Sequence, residues 1–222
     1  MYAKVYGETT CGINGEQIIV EVDISNGLPS FDIVGLPDTS VKESRERVRA
    51  ALKTSGLIFP MNRITVNLAP ADLKKDGSGL DLPIAVGILV SSGVLQQEQV
   101  DDTIFVGELA LDGTIRQIAG VLPMILHARD IGRKNIVIPA GNCAEGRLVD
   151  GIDVLIPASL LELVEHLRGA KVLDVLDKEA ICAAATSVYD VDFAEVRGQQ
   201  VVKRALEIAA AGGHNILMVG SP

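Results

Sequence analysis

The chain has 222 residues, of which 48% are apolar and 22% charged, and its net charge is -9. This composition predicts a folded core and excludes a disordered chain. The acidic balance argues against attraction of nucleic acid to the whole surface, and the longest apolar run, Leu82–Val90, is too short to span a membrane.

Cysteine, histidine and the start of the chain favour an intracellular protein. The opening MYAKVYGETT lacks the charged and apolar regions of a secretory signal. Neither the cysteines nor the histidines have the spacing of a zinc site: Cys11, Cys143, Cys182, His127, His166 and His214. We therefore expect a cytoplasmic location, reduced thiols, no metal site and no membrane partner.

The first third of the chain predicts strands followed by a long helix. The strands have β-branched or alternating apolar patterns and lie at Tyr2–Tyr6, Gln17–Ile24 and Phe31–Val34. Ser40 and Glu43 have capping-box spacing, so a helix is expected to begin near Ser40 and to end at Gly56.

This predicted helix carries a concentration of positive charge. From Lys42 to Lys75, eight basic and three acidic residues give +5, which leaves -14 for the remainder. Four of the basic residues are spaced by 3, 4 and 4 positions and form one helical stripe, called here the basic stripe: Lys42, Arg45, Arg49 and Lys53.

Two interpretations of the basic stripe stay open. It could contact a DNA backbone, with Lys74 and Lys75 as further candidates. It could equally be a solvated flank whose aliphatic stems cover the edge of the core. The chain holds only three Tyr and four Phe and none accompanies the stripe in sequence, so base stacking has little support.

The middle of the chain alternates strands and helices. Arg63–Leu68 predicts a strand, and Leu82–Val94 a buried helix with Asp81 as its N-cap. Asp112-Gly113 predicts a type I′ hairpin turn. The remaining expected elements are a helix at Val121–Asp130, a strand at Asn135–Pro139 and a helix at Ser159–Leu167, with Ser159 as its cap.

Composition and periodicity place a domain boundary after Val172. We expect a first domain at 1–172, a linker at 173–189 and a new unit at 190–222, with a helix at Gly198–Ala211 and a strand at Asn215–Val219. An apolar strand ending in Gly220-Ser221-Pro222 is compatible with the start of a phosphate loop, although an ordinary turn has the same appearance.

Longer stretches strengthen the phosphate-loop interpretation. The segments VEVDISNGLPSFDIVGLPD, RITVNLAPADLKKDGSGLDLPIAVGIL, GELALDGTIRQIAGVLP and DFAEVRGQ followed by AAAGGHNILMVGSP resemble the magnesium-chelatase-like AAA+ ATPases of the YifB/ComM type. The resemblance implies an α/β (α+β) fold, namely a mixed sheet with packed helices similar to the Lon proteolytic domain. The start of an AAA+ module, cut at its phosphate loop, would follow.

The resemblance also implies a partial nucleotide site. Val196, Gly198 and Gln199 would lie beside the adenine, and Gly220, Ser221 and Pro222 would open the phosphate loop. The lysine and Ser/Thr of GxxxxGK[ST] would lie beyond Pro222. ATP and Mg²⁺ are thus expected as cofactors of the longer parent protein, and none is expected for these 222 residues, which should not hydrolyse ATP.

Lon proteases use a serine and a lysine as a catalytic pair. Aligned on KDGSG without a gap, this chain has Gly79 in the nucleophile position, Ser78 in the position of the Lon proline and Leu122 in the lysine position. A shift of one residue would bring Ser78 into the nucleophile position. Because a leucine cannot accept a proton, we assign no catalytic residue, and a protease is the least favoured function.

The family resemblance implies a hexameric, branch-migration type of DNA helicase active in natural transformation, with branched or single-stranded DNA as partner. The alternative is a scaffold or protein-docking domain of a chelatase-like machine without a DNA role. DNA-stimulated ATP hydrolysis would separate the two.

Overall fold

The computed structural model describes residues 2–75, 77–177 and 192–220. The chain divides into two compact units, Met1–Ile181 and Cys182–Pro222. Each unit is described by itself.

The strands of the first unit form one large sheet and one small hairpin. They are β1 Tyr2–Cys11, β2 Asn14–Ser25, β3 Ser30–Val34, β4 Arg63–Ala69, β5 Thr103–Phe105, β6 Glu108–Leu109, β7 Ile115–Arg116, β8 Asn135–Val137 and β9 Asp153–Leu155. The large sheet has seven strands in the order β3-β4-β2-β1-β5-β8-β9. Strand β2 pairs antiparallel with β1 and with β4, and the other four pairings are parallel. The predicted α/β class is confirmed.

Helices cover both faces of this sheet. They are α1 Thr39–Thr54, α2 Asp81–Ser91, α3 Val121–Asp130, α4 Cys143–Gly146 and α5 Leu160–Leu167. Phe105 belongs to the cluster that contains α1, α2 and α5, whereas its neighbours Ile104 and Val106 belong to the cluster with α3. Because successive strand residues point to opposite faces, these two clusters lie on opposite sides of the sheet.

The N-cap of helix α1 lies two residues earlier than expected. It is Asp38, whose carboxylate accepts a hydrogen bond of 2.7 Å from the Val41 amide. Ser40 is therefore inside the helix and the predicted capping box is wrong. Gly56, with φ of +71°, follows the C-cap Ser55, as expected of a glycine that ends a helix.

Asp81 does not cap helix α2, which corrects the sequence prediction. It is the first residue of α2, and the N-cap is Leu80. The Asp81 carboxylate turns inward and accepts hydrogen bonds from Arg47, from the Ser44 hydroxyl and from the Leu109 amide. All eleven residues of α2 are buried, as its uniformly apolar sequence predicts.

The predicted hairpin forms, but with a different turn. Strands β6 and β7 pair antiparallel. The Gly113 amide donates to the Ala110 carbonyl at 3.0 Å, and Gly113 alone in this turn has a left-handed φ, of +86°. A type I′ turn needs two such residues, so the turn is of type I followed by a left-handed glycine.

The first unit continues beyond residue 172. The Leu176 amide donates to the Val154 carbonyl at 2.8 Å, and the Leu176 side chain packs in the α3 cluster. Most of the segment predicted as a linker, 173–189, lies outside the described residues. Near the end of the unit, Ser159 caps α5 by accepting from the Glu162 amide at 3.2 Å, as expected.

The second unit contains a short 3₁₀ turn, Phe193–Glu195, and helix α6, Gln200–Gly212. The predicted helix is confirmed. The predicted strand at Asn215–Val219 is wrong, since residues 214–220 have no regular secondary structure. A strand is stabilised by hydrogen bonds to a neighbouring strand, and the described residues of this unit contain no strand that could pair with 215–219.

Candidate functional site

The basic stripe lies on the exposed side of α1. Val41, Val48 and Leu52 face the core, so the cations at the intervening positions are directed to solvent. All four members are exposed: Lys42, Arg45, Arg49 and Lys53. The prediction that they form one continuous helical surface agrees with their positions on a single 16-residue helix.

Tertiary packing adds residues to this surface that the sequence did not connect to it. Arg63, on β4, joins Lys42 and Arg45 around a depression of about 470 Å³. Arg45 and Arg49 also line a second depression, of about 220 Å³, with Phe31 and Phe59. We call the surface formed by the basic stripe and Arg63 the basic face.

Two aromatic rings accompany the basic face, contrary to the expectation from sequence. The guanidinium carbon of Arg49 lies 5.7 Å from the centroid of the Phe59 ring, and the Phe31 and Phe59 centroids are 6.0 Å apart. Phe59 comes from the loop after α1 and Phe31 from β3. No local signal could reveal this group, because its members meet through the packing of α1 near β3 and the folding of the loop after α1.

Lys75 is corrected as a DNA-contact candidate. Its side chain is fully buried, and the ammonium donates a hydrogen bond to the Pro70 carbonyl. Burial lowers the pKa of Lys75. A buried ammonium cannot reach a phosphate, so it is not part of the basic face, whereas the neighbouring Lys74 is exposed.

Arg47 lies on α1 but points away from the basic face. Its Nε donates to Asp81 Oδ2 at 2.6 Å, and its Nη2 donates to Asp81 Oδ1 at 3.0 Å. The hydrogen bonds to Asp81 raise the pKa of Arg47. This residue joins α1 to α2 and is not available to an anionic ligand.

The loop that resembles the Lon nucleophile loop borders a separate groove of about 440 Å³. The Ser78 hydroxyl donates to the Glu108 carboxylate, which lies 3.7 Å from Arg116. Gly79 lies at the groove wall and accepts from the Gly107 amide through its carbonyl, at 2.9 Å. Ser78 and Gly79, which are consecutive in the chain, both line this groove.

Leu122 does not complete a catalytic pair with Ser78. Its side chain packs against the α3 cluster, and its amide donates to Glu145 Oε2 at 3.0 Å. The described residues that line the groove include no lysine, arginine or histidine. The hydroxyl of Ser78 therefore has a carboxylate partner and no lysine to accept its proton as in the Lon pair.

A buried carboxylate lies at the same groove. Glu8 lines it, and the Glu8 side chain is fully buried against His127, whose Nδ1 is 3.0 Å from Glu8 Oε1. Burial raises the pKa of Glu8 to about 7, although the hydrogen bond from His127 opposes this rise. Sequence reasoning missed this pair, whose members are 119 positions apart.

In the second unit, the residues expected beside an adenine precede α6. Val196 is exposed, and Gly198 and Gln199 have left-handed φ values of +73° and +54°. Gly220 is exposed at the end of the described chain, and Ser221 and Pro222 lie outside the described residues. The described residues show no cluster of His, Cys, Asp or Glu fit for a metal, and none of their helices has the length and apolarity to span a membrane.

Comparisons with known proteins agree with this architecture. The chain is 41% identical to competence protein ComM of Haemophilus influenzae over 99% of its own length and 43% of that protein. It is 42% identical to the uncharacterized protein YifB of Escherichia coli over 98% of its length and 42% of that protein. The chain thus spans less than half the length of these relatives.

The likeness to Lon is partial and more distant. Lon protease 2 of Bacillus subtilis is 29% identical over 57% of the chain and 22% of the protease. A family described as subunit ChlI of Mg-chelatase matches residues 20–142, and a second, described as magnesium chelatase, subunit ChlI, matches residues 192–222. The first match covers more than half of the chain, which therefore belongs to the magnesium-chelatase ChlI family.

Proposed function

We propose that this chain is the N-terminal part of a chelatase-like AAA+ ATPase that remodels DNA, and that the basic face contacts the DNA backbone. The supporting observation is the row of four cations on the surface of α1, with Arg63 beside it, in a chain whose net charge is -9. Such a row suits phosphates without reading base sequence. The name of one relative, a competence protein, also points towards DNA.

In this proposal the first unit is a non-proteolytic domain and the second unit begins the motor. ATP and Mg²⁺ serve the longer protein in the cytoplasm, where several copies form a ring. Val196 is exposed, and a Cβ placed on Gly198 would meet no atom of the described residues within 4 Å, which leaves room for a flat base. The residues up to Pro222 hold no lysine that continues the GxxxxGK[ST] pattern, so they fit only the base side of such a site.

The first experiment measures ATP hydrolysis by the chain extended past Pro222, with and without forked or four-way DNA, across a salt series. DNA should stimulate turnover, and salt should remove the stimulation, because phosphate contacts release counterions. Residues 1–222 alone should show no turnover. Turnover that ignores DNA in the extended chain would leave the motor assignment in place and reject the DNA role.

A second function is favoured by the groove at Ser78. It has lost the base of the Lon pair but keeps about 440 Å³ of space, which suits a docking module in a chelatase-like machine that does not act on DNA. In that case DNA would leave ATP turnover unchanged at every salt concentration. Substitution of the basic face would then have no effect on turnover either.

A further inference from the structure

The edge of the sheet at β3 is open. Strand β3 is the first in the sheet order and pairs with β4 along one side. Among the described residues, no strand pairs with its other side. An edge strand presents main-chain N–H and C=O groups that another extended chain can pair with.

Side-chain geometry marks which main-chain groups face outward. Arg45 Nη1 donates to the Phe31 carbonyl at 3.4 Å, a long hydrogen bond from helix α1, from which we infer that this carbonyl faces away from β4. Because main-chain groups alternate along a strand, those of Ile33 face the same side as those of Phe31. Arg45 thus covers one outward acceptor of β3 weakly, and a pairing strand could replace it there.

The open edge lies in a groove. The depressions of about 220 Å³ and 470 Å³ follow the two halves of β3 and have Arg45 in common. Phe31, Ile33 and Val34 supply apolar surface to them. We call these two depressions together the β3 groove.

The charges around the β3 groove are mainly positive. Its lining includes four basic and two acidic residues, which gives +2: Lys42, Arg45, Arg49 and Arg63 against Asp32 and Glu46. The remainder of the chain is acidic, so this charge is local. A ligand that fits here should carry negative charge as well as apolar groups.

We propose that the β3 groove binds an extended acidic peptide segment of a partner protein, which adds a strand beside β3. The peptide backbone pairs with the outward groups of Phe31 and Ile33, alternate apolar side chains lie against the groove floor, and acidic side chains meet Lys42, Arg45 or Arg63. Strand addition of this kind obtains affinity from main-chain hydrogen bonds and specificity from alternate side chains.

This inference goes beyond the proposed DNA function. A nucleic acid can meet the cations, but it has no repeating amide that matches the open edge of a strand. Since Lys42 and Arg45 belong to both surfaces, an acidic peptide and DNA should compete for the chain. Peptide binding itself is measured without DNA, so either proposal can fail while the other stands.

The test measures, by fluorescence anisotropy, the binding of a labelled peptide to the 222-residue chain. The peptide has about eight residues that alternate valine and glutamate, blocked ends and a fluorescein label. We expect saturable binding that weakens with salt.

Two further peptides are N-methylated on the odd or the even amides. Only one set of amides faces β3, so one of these peptides should lose about tenfold or more in affinity while the other binds. Equal binding of both would show attraction by charge alone and overturn the proposal.

Variants of the chain complete the test. Arg45→Glu should weaken peptide binding about tenfold, and Lys134→Glu, remote from β3, should not change it. Asp32→Asn removes a negative charge from the groove and should tighten binding about threefold, a gain that an unfolded protein cannot mimic. No binding of the glutamate peptide would overturn the proposal.

Discussion

Arg47 Nε lies 2.6 Å from Asp81 Oδ2, and this ion pair joins the middle of α1 to the first residue of α2. The Asp81 side chain is fully buried and that of Arg47 is 19% exposed. Burial raises the pKa of Asp81, and the hydrogen bonds from Arg47 and Ser44 oppose that rise. The same carboxylate also holds the β6 hairpin through the Leu109 amide.

Replacing Asp81 with alanine should strongly destabilise the first unit. The change leaves the Arg47 guanidinium without its partner in the interior, which costs about 3 kcal/mol of unfolding free energy. Urea denaturation measures the loss. Asp102→Ala is the matched control, because its ion pair with Lys134 is exposed and should contribute less than about 1 kcal/mol. Equal losses for the two variants would contradict a structural role for the buried pair.

Glu8 should make stability depend on pH. Its folded-state pKa of about 7 lies above the ordinary value of 4.5, so the folded state holds this proton more tightly than the unfolded state. The resulting stabilisation is complete below pH 4.5 and is lost as pH rises through 7. The associated slope is at most about 1.4 kcal/mol per pH unit.

Thermal or urea unfolding at several pH values can isolate this contribution. The Glu8→Gln variant cannot ionise at this position, so its stability should fall less than that of the unchanged chain between about pH 5 and about pH 8. Glu16→Gln is the control, because Glu16 is an exposed carboxylate near the Glu8–His127 pair. Parallel pH curves for Glu8→Gln and the unchanged chain would show that Glu8 is not the group responsible.

The basic face should govern DNA binding. In the full-length protein, Arg45→Glu with Arg49→Glu should lower affinity for forked DNA about tenfold or more. The slope of log affinity against log salt should decrease by about 0.9 for each phosphate that the variant no longer neutralises. Lys134→Glu reverses an exposed charge elsewhere and should behave as the unchanged protein. Unchanged binding by the double variant would place any DNA contact on another surface.

Ser78 should be chemically inert. Its hydroxyl donates to Glu108, and no described residue lining its groove can serve as the lysine base of Lon. A fluorophosphonate probe is therefore expected not to label the chain, and casein should remain uncut. The Ser78→Ala variant should be indistinguishable in both assays. Covalent labelling that disappears in Ser78→Ala would establish a nucleophile and revive the protease interpretation.

Much of the secondary structure could be predicted from short-range sequence patterns. The alternation of Arg63–Leu68, the uniformly apolar run after Asp81 and the cap at Ser159 predict elements that the structure contains, because neighbouring residues alone set these preferences. The spacing of the basic stripe likewise follows from helical periodicity. Prediction from local sequence was wrong where two residues or two turn types suit the same position. Asp38 and not Ser40 caps α1, and the hairpin turn contains one left-handed glycine and not two left-handed residues.

Tertiary structure alone decided which distant residues meet. Asp81 occupies the position of a cap in the sequence, yet packing of α2 against α1 turns its carboxylate towards Arg47, 34 positions earlier. Tertiary structure also buries Lys75, whose ammonium donates to the Pro70 carbonyl, and the folding of the loop after α1 brings Phe59 to Arg49. The open edge of β3 is also a property of strand order. Such contacts depend on the summed packing of the whole core, which no local pattern of residues encodes.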